Sequence, residues 1–248
     1  QMALNALLFT GFIMMIAKWV LHHLKPLAAL PFLIVLVLCG ALPHSWENIT
    51  RAYQSGYPLA LIFLFAHVYG SSTQRPFSRY WWGAQGAAIA ALYTIEGMWL
   101  TPLVTLGSAN WMGQEKTRAQ LIPLSIGFIG LAHSLSLQSG LDSSSIFQDP
   151  ISYLHACLHH LGWPRALPGA AGIMLLPWLI HALRIRNASE ATTFDRMIFT
   201  LGLWNFCHAL LLASNLPDAN RPFASSHGDI HIIGILAGSL ALIRLIPN

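Results

Sequence analysis

Two carboxyl groups and a set of histidines lie in stretches otherwise too apolar to hold charge. Glu96 sits in LYTIEGMWL, ten or more residues from either end of its apolar segment, and Asp229 sits in SHGDIHIIG at the start of the last one. An ionisable group at mid-bilayer costs roughly 2.5–3.5 kcal/mol unless it faces a cavity or a partner, so each marks a candidate site. An apolar pocket raises a carboxyl pKa, which leaves the group protonated near neutral pH and able to donate. His227 and His231 are four apart, as are His155 and His159, with His160 adjacent. HxxxH puts two imidazoles one helical turn apart, a spacing that can chelate zinc or iron. His67, His133, His181 and His208 stand singly in apolar segments, where an axial haem ligand is conceivable.

Aromatic residues cluster around Glu96 and around Asn205. On a helix Tyr93, Glu96 and Trp99 share one face at i, i+3 spacing. Trp204, Asn205 and Phe206 lie together in LWNFCH. Aromatic faces stabilise cations and pack against isoprenoid chains. Trp81, Trp82 and Trp111, beside polar turns, read instead as interfacial anchors.

Eight apolar segments would carry these groups: Met2–Val20, Leu27–Pro43, Tyr57–Ser71, Trp82–Leu106, Gln120–Gln138, Ala166–Leu183, Phe194–Ala213 and His227–Ile246. Each approaches the ~20 residues that a helix needs to cross about 30 Å of hydrocarbon. ISYLHACLHHLGW is too short to cross and reads as a re-entrant or interfacial helix. Helices are expected because lipid leaves each backbone amide to be satisfied within its own segment. The ~10-residue alternation of a barrel is missing. The expectation is an all-α, polytopic membrane bundle of seven or eight spans in a single domain, 1–248. The first apolar segment lacks a preceding basic region, so no cleavable signal is expected. An eight-span count places six cations on one side (Lys18, Lys25, Arg75, Arg79, Arg165, Arg221) and the other seven opposite, which gives no positive-inside bias.

Composition agrees with this placement. The 248 residues include 13 basic and 9 acidic side chains, 9% charged against 55% hydrophobic, and mean hydropathy is +0.55. Soluble domains carry about 25% charge. A soluble enzyme, a disordered chain and a nucleic-acid-binding domain are therefore unexpected, and the net charge of +4 is scattered with no basic run. Cys39, Cys157 and Cys207 form no CxxC and read as buried small hydrophobes.

A buried acid, a second acid on another helix and an aromatic lining suit protonation of an alkene or epoxide, followed by cation-driven ring closure. On Glu96 in YTIEGMW and Asp229 in HGDIH, the chain resembles the fungal integral-membrane terpene cyclases of meroterpenoid pathways. Those are small polytopic helical proteins with essential carboxylates in an early and a late helix. The resemblance implies a lipophilic isoprenoid substrate, no metal or other cofactor, and residence in the endoplasmic reticulum. No DDxxD motif is present, consistent with acid initiation. Asp229 is then the proton donor or its partner, and Glu96 the second acid or terminating base. His227 and His231 would tune Asp229, while Tyr93, Trp99, Trp204, Asn205 and Phe206 line the pocket. Two other readings remain: a b-type haem cytochrome built on the single histidines, and a metal-dependent hydrolase or oxygenase built on the HxxxH pairs.

Overall fold

The computed structural model describes residues 2–41, 55–113, 117–137, 150–162, 168–186, 191–214 and 225–246. Among these residues the chain is all helical, with ten α-helices and no strand. They are α1 (Met2–His23), α2 (Pro26–Ala41), α3 (Gly56–Thr73), α4 (Arg79–Ala91) and α5 (Leu100–Trp111). After a 3-10 turn at Arg118–Gln120 follow α6 (Leu121–Leu137), α7 (Pro150–Leu161), α8 (Pro168–Arg186), α9 (Thr193–Ser214) and α10 (Ser225–Leu245). Three helical stretches are long and apolar enough to cross a membrane: Met2–His23, Arg118–Ser136 and Thr193–Ser214. Helix α7 falls where the short segment before Trp163 was expected.

The expected span Trp82–Leu106 is a correction. It divides into α4 and α5, of 13 and 12 residues, each about 20 Å long at 1.5 Å per residue. Three local features break it. Leu92, Tyr93 and Thr94 bond their amides to the carbonyls of Ile89, Ala90 and Ala91, tightening the last turn, and the Thr94 hydroxyl donates to Ala91 at 2.6 Å. Gly97 then takes φ +84°, a conformation open to glycine without strain. Pro102 falls in the first turn of α5, where a missing amide proton costs nothing.

The chain reverses across this break. Helix α4 runs antiparallel to α3: Gln85 bonds to Ser71 at 3.3 Å, while a Cβ on Gly56 would lie 2.7 Å from the Thr94 carbonyl. Helix α5 runs back along α9, with Glu96 at His208, Thr101 at Trp204 and Ser108 at Thr200.

Helix α9 is the centre of the molecule, buried on most of its circumference. Gly202 has no side chain because Trp178 of α8 occupies that space, stacking on Phe199 at 5.8 Å and donating to its carbonyl at 3.2 Å. At the start of α9, Asp195 takes a bidentate bond from Arg244 at the end of α10, at 2.8 and 3.0 Å. His181 of α8 lies 3.7 Å from the same carboxylate. Around an apolar core, polar side chains are also buried and large apolar ones are exposed. Asn5, His67, Gln85, Thr105 and Asp195 are buried, whereas Leu7, Leu27, Val37, Ile129 and Ile173 face outward.

Charge divides along the helix axes. The start of α9 meets the end of α1 through Phe194 against Trp19 and His23, and the ends of α8 and α10 through Asp195. Arg186 of α8 lies 4.7 Å over the ring of Trp111, which ends α5. Gln74 at the end of α3 and Tyr80 at the start of α4 line one cleft with Lys18 and His22. All nine described lysines and arginines (Lys18, Lys25, Arg75, Arg79, Arg118, Arg184, Arg186, Arg196, Arg244) therefore lie toward one end. This replaces the even split expected from eight spans, while Arg51, Lys116, Arg165 and Arg221 lie outside the described residues.

Candidate active site

Glu96 occupies the turn between α4 and α5, exposed to a cavity of about 380 Å³ that Tyr93, Thr94, Trp99, His133 and Ser134 also line. The cavity exists because α6 approaches the turn closely. A Cβ on Gly130 would stand 2.6 Å from a methyl of Leu92 and 2.8 Å from the Cβ of Trp99, and Gly127 makes room for Leu103. Small residues at helix contacts permit such approach. Trp99 is half buried, but Tyr93 is 80% exposed. The shared helical face expected for Tyr93, Glu96 and Trp99 is thus corrected: they meet around a turn, because Gly97 ends the helical register.

Behind the turn lies a buried polar chain. His208 donates from Nε2 to the Glu96 carbonyl at 3.4 Å and stacks on Trp204, 4.7 Å between centroids at 14°. Trp204 donates to the Thr101 hydroxyl at 3.0 Å. His231 of α10 stands 6.1 Å from His208 and 5.4 Å from His160 of α7, measured between ring centroids. It bonds through Nδ1 to the Asn205 side-chain oxygen at 3.0 Å. Gly234 gives Asn205 its space, since a Cβ there would collide with the amide. Thr101, His160, Trp204, Asn205, His208 and His231 are all buried, and the contacts of His208 and Trp204 reach segments over 100 residues away.

The structure thus brings together Trp204, Asn205 and His231, and brings His231 toward the Glu96 turn through His208. Phe206 is only half buried and packs away from them, against Leu161, Ala171 and Ala209. His227 and Asp229 belong to the first turns of α10, but their side chains lie outside the described residues. His231 bonds to Asn205, and its expected partnership with Asp229 lies outside the described residues. Thr101, Ser134 and His160 were not anticipated as site residues. Gly127 and Gly130, spaced i, i+3 in α6, were the sequence signal for the close approach that forms the cavity.

Three further histidines are engaged away from the Glu96 cavity. His67 bonds through Nδ1 to the Ala84 carbonyl at 3.0 Å. His155 and His159 stack on one another at 4.3 Å on α7. Among the described residues, no group of three or more His, Cys, Asp or Glu is placed to hold a metal ion. On the same helix, burial pushes the Tyr153 hydroxyl up to about 12, so it stays a donor to the Leu210 carbonyl at 3.1 Å. The three cysteines are unpaired, Cys39 and Cys157 buried and Cys207 half buried. Compared with known proteins, the chain matches no family model, no curated protein and no solved structure.

Proposed function

We propose that this chain is a multi-pass membrane terpene cyclase, initiating ring closure of a prenylated lipophilic substrate by protonating an alkene or an epoxide. The carrying observation is the convergence on His208 of two segments over 100 residues apart, the Glu96 turn and the start of α10 that bears Asp229. The outward-facing apolar side chains and buried polar ones support membrane placement, because lipid rewards that distribution and water penalises it.

In the proposed reaction one carboxyl of the Glu96–Asp229 pair gives its proton to the epoxide oxygen or the terminal alkene carbon. The C–O bond of the epoxide, or the π bond, breaks, and the neighbouring alkene closes a C–C bond onto the cationic carbon. The final carbocation loses a proton to the second carboxylate. The product is an isomer of the substrate, so no oxidant, reductant or water is consumed. Trp99 and Tyr93 present π faces where positive charge develops. Trp204, stacked behind His208, holds that ring against the Glu96 carbonyl. Such a protein would reside in the endoplasmic reticulum, where prenylated precursors partition.

The test is incubation of membranes containing the full chain with farnesylated phenols and their terminal epoxides, with products read by mass spectrometry. An isomer of unchanged mass is expected, with its rate falling about 10²–10⁴-fold in Glu96→Gln and Asp229→Asn. Full turnover in both variants would sink the acid pair. An absorption spectrum of the same purified protein adds an independent check, since a Soret band would replace acid chemistry with haem chemistry.

A further inference from the structure

We propose that the cleft between α1, α3 and α4 is a binding site for an anionic phospholipid of the membrane. It encloses about 1140 Å³, above the roughly 300–1,000 Å³ of small-molecule sites. Its walls are apolar along most of their length, built from Met14, Trp19, Phe65 and Tyr69, which suits an acyl chain. Polar character collects toward one end, where Lys18 and His22 of α1 face Gln74 and Tyr80. Arg79 stands at that end too, bonded to the Tyr80 hydroxyl at 2.8 Å with its guanidinium 4.6 Å over the ring.

Charge decides the class of ligand. No carboxylate lines the cleft, and none pairs with Lys18 among the described residues. The site also lies at the end that gathers every described lysine and arginine. Lys18 extends a long apolar stem over the cleft wall and carries its charge toward the interface. Basic pockets between membrane helices select anionic head groups in this way, each Lys or Arg near the surface strengthening binding about fivefold.

The floor is shaped for occupancy. A Cβ on Gly70 would lie 2.5 Å from the Cβ of Ala84, so α3 and α4 pack tightly beneath the cleft. Gly83 is the opposite case: a Cβ there meets nothing within 4 Å. A side chain at position 83 would therefore enter the cleft without disturbing the helices, which supplies a clean block.

The inference rests on membrane placement and is independent of the acid chemistry. The full chain is first floated with phosphatidylcholine vesicles, then transferred to detergent and weighed by native mass spectrometry with dioleoyl phosphatidylglycerol or dioleoyl phosphatidylcholine. Preferential retention of phosphatidylglycerol is expected. It should weaken about fivefold in Lys18→Gln and disappear in Gly83→Trp, while Gly83→Ala behaves as wild type. Glycerol 3-phosphate, a head group without chains, should not displace the lipid. Failure to float overturns membrane placement and this site together. Flotation with equal retention of both lipids, with retention unchanged in Gly83→Trp, or with displacement by glycerol 3-phosphate, overturns this site alone.

Discussion

Asn205 shows how one side chain sets the chemistry of its neighbours. Its oxygen accepts from Nδ1 of His231, which places a proton of that ring on Nδ1. Asn205→Leu removes this acceptor while leaving a buried donor behind. The expected loss is about 1–3 kcal/mol, the penalty for an unsatisfied buried group, measured by thermal unfolding in detergent. Gly234→Ala should approach the same loss by pushing Asn205 out of position. Glu96, by contrast, is exposed to its cavity, so Glu96→Gln should leave the unfolding temperature unchanged while activity falls. The sequence made Glu96, Trp204, Asn205 and His231 visible as residues out of keeping with apolar segments. It could not pair them. That pairing depends on how α9 and α10 rotate against each other, and an all-round apolar helix carries no periodic signal to fix its rotation.

At the scale of elements, the turn between α4 and α5 decides where the acid sits. A sliding count of apolar residues runs straight through it, since Leu92, Ile95, Met98 and Trp99 keep the stretch hydrophobic. The stop lies in Gly97, Thr94 and Pro102, local backbone chemistry that hydropathy does not weigh. Gly97→Ala should therefore act twice. Its φ of +84° is strained for alanine, and the new methyl would stand 2.8 Å from Leu211 and 3.0 Å from the His208 ring. A loss of about 1–3 kcal/mol is expected, together with an activity loss larger than Asn205→Leu produces, because His208 must leave the Glu96 carbonyl. Retention of both stability and activity would mean that the turn tolerates a helical register. The Asp195–Arg244 pair is the second element-scale device, tying the start of α9 to the end of α10. Arg244→Met would strand a buried carboxylate and should cost about 3 kcal/mol, the low end of the range for broken buried pairs, because Arg244 is 34% exposed.

For the whole molecule, the reversal at 92–99 governs orientation. Treating Trp82–Leu106 as one continuous helix would place every later described cation at the opposite end of the bundle. Once the chain turns back, Arg118, Arg184, Arg186, Arg196 and Arg244 join Lys18, Lys25, Arg75 and Arg79 at one end. All-helical architecture was legible from composition and apolar run length, yet the gathering of described cations at one end was not, because it depends on where the chain reverses between helices. Positively charged ends of membrane proteins stay in the cytoplasm, so this end should face it and the Glu96 turn should face the opposite compartment. Cysteine labelling tests this on a background lacking Cys39, Cys157 and Cys207. Pro76→Cys, in the exposed α3–α4 turn, should react with an impermeant thiol reagent on sealed, cytosol-side-out microsomes. Tyr93→Cys, 80% exposed in the Glu96 turn, should react only after detergent. The chain also carries two natural reporters, the sequons Asn48-Ile49-Thr50 after α2 and Asn187-Ala188-Ser189 after α8. The second follows the cationic end and should never carry a glycan; a modified Asn187, or labelling of both cysteines from one side, would refute the orientation.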